Sequence, residues 1–198
     1  VLRSIELQTL MPNEVIIADD GSGDDTKAII NAFQKTSDLN IIHSWQKDNG
    51  FRVAKSRNKA VAKSNNEYII LIDGDMILHP EFVQDHLNNA EPGYFIQGTR
   101  VLLTENETSN ALKDMSIHFS FFSKGIRNRK NTIHSNFLSR LLLKKKNYLR
   151  GIKTCNMAFF KQDCININGF NNDFEGWGRE DSEFVVRLLN NGVNRKNL

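Results

Sequence analysis

Apolar residues in this chain fall into short continuous runs separated by longer stretches at helical spacing. Four runs read as buried strands: Val15-Ile16-Ile17-Ala18, Ile41-Ile42-His43-Ser44-Trp45, residues 67–72, and Tyr94-Phe95-Ile96-Gln97. Leu2 and Ile5, then Leu7 and Leu10, stand at i, i+3 and predict an opening helix, which Met11-Pro12-Asn13 stops. A second helix is expected with Ala28, Ile29, Ala32 and Phe33 inward, and a third over residues 52–64. Pro80 suits the first turn of a fourth that runs to about Asn89. Strand alternating with helix predicts an α/β sandwich, with helices flanking a mostly parallel central sheet.

The second half has a different texture. Residues 110–122 and 135–148 carry helix-like patterns joined by a basic loop. Residues 156–160 read as a strand and 170–178 as an aromatic, glycine-rich loop. A last helix is expected over 179–190, closed by Gly192. The chain opens inside a helix and stops soon after another, so a strand ahead of Val1 and a segment beyond Leu198 are expected.

With 198 residues, the chain suits a single domain. No apolar stretch is long enough to span a bilayer, and no signal peptide is evident. Cys155 and Cys164 lack metal-ligand spacing and read as free thiols of a reducing compartment, which places the protein in the cytoplasm or at the cytoplasmic face of the inner membrane. The net charge of +3 hides an asymmetry: residues 115–162 hold eleven Lys and Arg and no acid, leaving 15 basic against 23 acidic residues elsewhere. That basic segment suits an anionic membrane face, an anionic acceptor, or simple solvation by snorkelling lysines such as Lys144, Lys145 and Lys146. No nucleic-acid-binding motif accompanies it, and no nucleic-acid partner is expected.

Candidate chemistry sits at strand ends. The run Ile69-Ile70-Leu71-Ile72 ends in Asp73-Gly74-Asp75. Two acids around one glycine suit a hard divalent cation that holds phosphate oxygens, or an Asp-Gly hairpin turn. Asp19 and Asp20 end another strand, and a parallel sheet would bring both acidic ends to one rim. Asp19 suits an acceptor for a base or ribose group, whereas Ser22 and Asp24 read as caps of the next helix. Arg57 falls with Val53 and Val61 on an inward stripe, which calls for a buried acid such as Asp73 or for a ligand diphosphate. Asp181 shares a stripe with Phe184, Val185 and Leu188, where a carboxylate is costly unless used, for instance as a general base. Trp177, between Gly176 and Gly178, suits stacking on a sugar ring or core packing.

Taken in order, these pieces resemble the family-2 glycosyltransferases of the GT-A fold. The resemblance rests on Ile-Ala-Asp-Asp-Gly-Ser (17–22), Asp-Asn-Gly-Phe-Arg-Val-Ala-Lys-Ser-Arg-Asn-Lys-Ala (48–60) and Asp-Gly-Asp (73–75). Asn-Gly-Phe followed by Phe-Glu-Gly-Trp-Gly-Arg-Glu-Asp (168–181) is similar to the carboxyl-terminal region of β-1,4-galactosyltransferases and bacterial chondroitin-polymerase modules. The resemblance implies an inverting transfer of a hexosyl or N-acetylhexosaminyl group from a nucleotide sugar, usually a UDP-sugar, to a glycan or glycolipid acceptor in cell-surface polysaccharide or lipooligosaccharide synthesis.

It implies a donor half over 1–100, with Asp19, Asp20, Arg57 and Asp73, and an acceptor half over 101–198, with Gly176, Trp177 and Gly178. Asp75, with Asp73 beside it, would hold Mn²⁺ or Mg²⁺. Asp181 would be the base and Glu180 would orient the acceptor. It further implies a first strand ahead of Val1 and a metal-binding histidine beyond Leu198, since His43, His79, His86, His118 and His134 do not match that position. Two other readings are an idle carbohydrate- or membrane-binding domain and a metal-dependent nucleotidyltransferase. A dinucleotide oxidoreductase is disfavoured, because no Gly-x-Gly-x-x-Gly follows a strand.

Overall fold

The computed structural model describes residues 1–133, 144–145 and 147–198. After α1 (Leu2–Glu6), β1 (Val15–Asp19) and β2 (Ile41–Trp45) pair in parallel across α2 (Asp24–Thr36). Then come α3 (Val53–Lys63), β3 (Tyr68–Ile72), α4 (Phe82–Asn89) and β4 (Tyr94–Gln97). β5 (Leu102–Leu103) and β6 (Ile126–Arg127) form a small antiparallel pair around α5 (Glu105–Asp114). β7 (Lys144–Lys145), β8 (Asn156–Phe160), α6 (Lys161–Asn166), α7 (Glu180–Asn190) and β9 (Asn194–Asn197) complete the order.

The larger sheet runs β3-β8-β4-β9-β7. β8 is antiparallel to both β3 and β4, while β4 and β9 are parallel, so the α/β layering is as expected but the sheet is mixed. Strand alternation in the first half carries no sign of this, because the reversal comes from the excursion between β4 and β8. Close approach of the two strands there requires Gly98, whose backbone N–H donates to the Asn156 carbonyl at 2.9 Å. A Cβ on Gly98 would lie 2.2 Å from the Asn156 side chain.

The main core lies between this sheet and α3 and α7. Phe95, Met157, Phe159, Phe170, Phe184 and Leu188 are fully buried, and Phe170 stacks on Phe184 with ring centroids 3.9 Å apart. Burial of each such side chain contributes roughly 1.5–3 kcal/mol. A second cluster gathers Ile5, Ile30, Leu39, Ile41 and Leu78 under α1 and α2. Ile30 rather than Ile29 faces inward on α2; Ile29 is 68% exposed, and Ala28 and Ala32 are also exposed. Phe33 faces inward as expected, and its inward partner is Ile30, at i, i+3, in place of Ile29.

Three other departures have local causes. α5 starts at Glu105, with Glu105 and Glu107 in its first turn, and ends where Met115 turns left-handed at φ 51°, so residues 116–122 are not helical. Residues 135–143 and 146 of the expected 135–148 helix lie outside the described residues, as does His134, while Lys144 and Lys145 form β7. β9 is a polar strand without an apolar signal. Arg195 donates to the carbonyls of Tyr148 (2.7 Å) and Arg150 (2.9 Å), and Lys196 donates to the Asn89 carbonyl (2.8 Å), which offsets their burial.

β3 is less enclosed than its sequence suggests: all five residues are half-buried. Among the described residues β1 pairs only with β2, and β3 only with β8, so each leaves an edge facing a cleft of about 620 Å³ lined by both strands. Glu14 ties the starts of the two strands, accepting from Ser64 Oγ (2.6 Å), Asn65 N (2.9 Å) and Asn66 Nδ2 (2.7 Å). β1 and β3 therefore set out from one end and finish, at Asp19 and Asp73, on one side. No helix among the described residues is long and apolar enough to cross a membrane.

His86 on α4 is wholly buried, meets Asn156 Oδ1 through Nε2 at 2.9 Å, and has no partner for Nδ1. Burial pushes its pKa down to about 4, partly opposed by the Asn156 hydrogen bond. A depressed histidine pKa stabilises the fold above the unfolded value near 6.5, and this stabilisation is lost as pH falls toward 4. Urea unfolding at pH 7 and pH 4.5 should show wild type losing about 2 to 3 kcal/mol more than His86→Gln. Equal losses in the two proteins would remove His86 as the cause.

Candidate active site

β8 enters the sheet between the departing ends of β3 and β4. Ile72 faces Asn156 in the β3–β8 ladder, so Asp73 follows on beside Cys155. Asp73 is half-buried and Asp75 exposed, with a tight turn in which Met76 N donates to the Asp73 carbonyl at 3.3 Å. The chain leads from there to α4 rather than folding back on β3, so the hairpin reading does not hold. Burial raises the Asp73 carboxyl pKa; Arg57 opposes this, Asp75 and Asp181 add to it, and Arg100 opposes it again. Five charged groups thus act on one another across this rim.

α7 brings its first turn to the same place. Glu180 is the more buried acid, with its side chain 8% exposed against 23% for Asp181. Arg57 Nη1 donates to Glu180 Oε1 at 3.3 Å and Asp181 Oδ1 at 3.1 Å. Its guanidinium also lies 5.5 Å from the centre of the Phe170 ring. The inward stripe of α3 therefore delivers Arg57 to the acids of α7, from where its charge also reaches Asp73. Thr154, itself buried, fixes Asp181 from the other side: its N–H donates to Oδ2 and its hydroxyl to Oδ1, both at 3.0 Å. Asp181 is held in one orientation by two elements, yet remains partly open.

Asp19 is arranged differently. One oxygen accepts from Gly21 N (3.2 Å) and Ser22 N (2.8 Å), the other from Ser22 Oγ (2.5 Å), and His43 Nε2 lies 2.6 Å from the second. Burial alone would raise its pKa, but the Ser22 and His43 bonds outweigh this and lower it. Both oxygens are engaged, by the protein's own turn and by His43. Ser22 is thus Asp19's partner, while Gly23 stands at the N-cap of α2. Asp20 accepts from Gln46 Nε2 and Arg52 N, each at 2.5 Å, beside a cleft of about 320 Å³ lined by Gln46, Lys47, Arg52 and Lys55.

Trp177 is 92% exposed, which excludes core packing. Gly176 and Gly178 have φ of +81° and +114°, a backbone course that glycine takes without strain. The loop is anchored by Gly176 N on the Phe51 carbonyl at 3.0 Å and by an Arg52–Glu175 ion pair at 2.7 Å. In the basic segment Phe121 and Phe122 are 41% and 87% exposed.

The profile described as glycosyl transferase family 2 matches residues 1–163. The chain belongs to this family. A second profile, described as the N-terminal domain of galactosyltransferase, matches residues 138–198. The chain is 27% identical over 207 residues to a hyaluronan synthase of Pasteurella multocida, covering 95% of this chain and 21% of that protein. It is 27% identical over 201 residues to a chondroitin synthase of Escherichia coli, covering 93% and 29%. The chain thus spans less than a third of either relative. Solved structures that share its fold include two with bound nucleotide. They are S. aureus TarS 1–349 in complex with UDP (TM-score 0.61, 16% identity, 100% of this chain and 52% of that one) and the mannosyltransferase PcManGT of Pyrobaculum calidifontis with GDP-Man and Mn²⁺ (0.59, 16%, 98% and 48%). The architecture is therefore GT-A.

In this family-2 chain the Asp73–Asp75 pair fits a divalent cation of the Mg²⁺ or Mn²⁺ class. Such ions take one or two carboxylates and complete their shell with water and phosphate oxygens. Among the described residues no group of three His, Cys, Asp or Glu side chains is placed to hold a metal ion by itself. Three residues around the rim were missed by sequence reasoning: Thr154, Arg100 and His43. All three act across strands, and nothing in their local spacing signals it.

Proposed function

We propose that this chain is a catalytic module that moves a sugar from a nucleotide sugar, a UDP-sugar in the first instance, to a glycan hydroxyl with inversion, during synthesis of a cell-surface polysaccharide. The observation that carries the reading is the meeting, at one rim, of the Asp73–Asp75 strand end with an Asp181 carboxylate held by Thr154 and Arg57. Hyaluronan and chondroitin synthases among its relatives support the polysaccharide, and the UDP and GDP-Man complexes of its structural neighbours support the donor class.

In this mechanism Asp181 accepts the proton of the acceptor hydroxyl. The acceptor oxygen forms its bond to the anomeric carbon from the face opposite the nucleotide, and the departing diphosphate takes the electron pair of the broken C–O bond. One displacement gives one inversion. Asp75, with Asp73, would hold the divalent cation, which neutralises charge on the diphosphate when bound. Glu180 shares Arg57 with Asp181 and so sets the acceptor side of the pocket. Trp177 offers an exposed ring to the acceptor sugar.

The test is the full-length protein incubated with a panel of nucleotide sugars and glycan acceptors, with Mn²⁺ or with chelator, scoring released nucleotide and glycan product. Acceptor-dependent release of UDP that chelation abolishes and Mn²⁺ restores is expected. Product with retained anomeric configuration, or release unaffected by chelator, overturns the inversion or the metal assignment respectively.

A further inference from the structure

Arg57 is committed to Glu180 and Asp181. That leaves open which group of this chain meets the negative charge of a nucleotide diphosphate beside Asp73. The ladders around β8 supply a candidate. Gly98 is bonded to Asn156, so the strand direction carries Arg100 alongside Thr154 and Cys155, across β8's lead-in from Asp73. The backbone is pinned there, with Asn131 Nδ2 donating to the Arg100 carbonyl and Asn156 Nδ2 to the Thr99 carbonyl, both at 2.8 Å.

The Arg100 guanidinium has little to hold it otherwise. Nη1 points at the Cys155 sulfur at 3.2 Å, a weak acceptor, and Nε is buried with no hydrogen-bond partner. It makes no ion pair among the described residues, while Arg57, which acts on the same Asp73, does. A half-buried guanidinium with an orphaned N–H beside a strand-end carboxylate is an anion site in want of its anion, because burying that N–H unpaired is unfavourable. Its planar fork matches phosphate oxygens better than an ammonium does. Its charge is already felt by Asp73, where it opposes the upward push of burial.

We propose that Arg100 binds the diphosphate of the nucleotide donor and stabilises it as it departs; this rests on the glycosyl-transfer reading above. Arg100 keeps its protons throughout. The diphosphate oxygen that takes the electron pair of the broken C–O bond gains charge, and the guanidinium faces that charge. Cys155 Sγ, a weak acceptor, meets Nη1 of the guanidinium at 3.2 Å. The acceptor's proton still goes to Asp181, so donor and acceptor charges are handled by two different arginines, Arg100 and Arg57.

Calorimetry on the full-length protein with Mn²⁺ distinguishes this role from a structural one. Arg100→Gln is expected to weaken UDP binding by roughly 10- to 100-fold and uridine binding by less than about threefold, with Arg100→Lys in between. Equal losses for UDP and uridine, or unchanged UDP affinity, overturn the assignment. Should Arg100→Gln fail to fold, labelling of wild type with an arginine-directed reagent decides. UDP and pyrophosphate should protect Arg100 and uridine should not, and indiscriminate or absent protection overturns the proposal. If wild type neither binds UDP nor turns over any nucleotide sugar, the glycosyl-transfer reading fails and this inference falls with it. If wild type does both while Arg100→Gln matches it, only Arg100 is lost.

Discussion

Asp181→Asn is expected to lower kcat by about 10²- to 10⁴-fold, the range over which a positioned general base contributes. The substitution is close to isosteric. The amide oxygen can still accept from the Thr154 hydroxyl and Arg57, which now donate to Oδ1 at 3.0 and 3.1 Å, while the NH2 replaces the oxygen that accepts from Thr154 N–H. What the amide loses is the capacity to take a proton from the acceptor hydroxyl. The measurement is a split one: kcat for transfer with saturating donor, and UDP affinity by calorimetry. Affinity should stay within about threefold of wild type, because Asp181 stands on the acceptor side of Arg57. A mutant that loses UDP binding in proportion to its rate places Asp181 among the donor contacts instead.

The environment of Asp181 shows what sequence can and cannot convey. Its place on the inward stripe of the last helix was legible, since Phe184, Val185 and Leu188 are all fully buried beneath it. So was Arg57, from the i+4 spacing with Val53 and Val61. Helix periodicity fixes which way a residue faces on its own element, and Asp181 and Arg57 were found that way, whereas Glu180 came only from the family resemblance. Partners across elements were not legible. Thr154 stands ahead of β8, and its two bonds to Asp181 exist only because β8 runs backward between β3 and β4. Strand alternation in the first half suggested a mostly parallel sheet and gave no hint of that reversal. Arg100 was missed for the same reason; His43 meets Asp19 across the parallel β1–β2 pair, a contact that spacing along one strand does not show.

At Asp19 an acid at a strand end was legible, but not the turn that closes on it through Ser22 and His43. Short polar side chains in a turn bond their own backbone first. β9 was overlooked because its stability comes from hydrogen bonds of Arg195 and Lys196 rather than from apolar residues. Trp177 could be placed in the right loop, but whether it packed or projected was decided by contacts of Glu175 and Gly176 with the start of α3.

Asp75→Ala is expected to reduce transfer by at least about 10²-fold, the order seen when a preorganised electrostatic contact to a developing charge is removed. Stability should hardly change, by roughly 0.5 kcal/mol or less, because Asp75 is exposed and makes no hydrogen bond among the described residues. Those two expectations together separate a metal role from a folding role. Asp73 is a poorer test, since it is half-buried and shares its field with Arg57 and Asp181. Its loss would disturb the acceptor side as well. For Asp75→Ala, the Mn²⁺ concentration needed for half-maximal rate should rise by roughly tenfold or more, as one of two protein carboxylates is gone. Excess Mn²⁺ should then recover part of the activity, which no change in Mn²⁺ can do for Asp181→Asn. An Asp75→Ala protein with wild-type rate and wild-type Mn²⁺ dependence would move the cation away from this strand end. The Asp73-Gly74-Asp75 turn would then be left as a surface feature between β3 and α4.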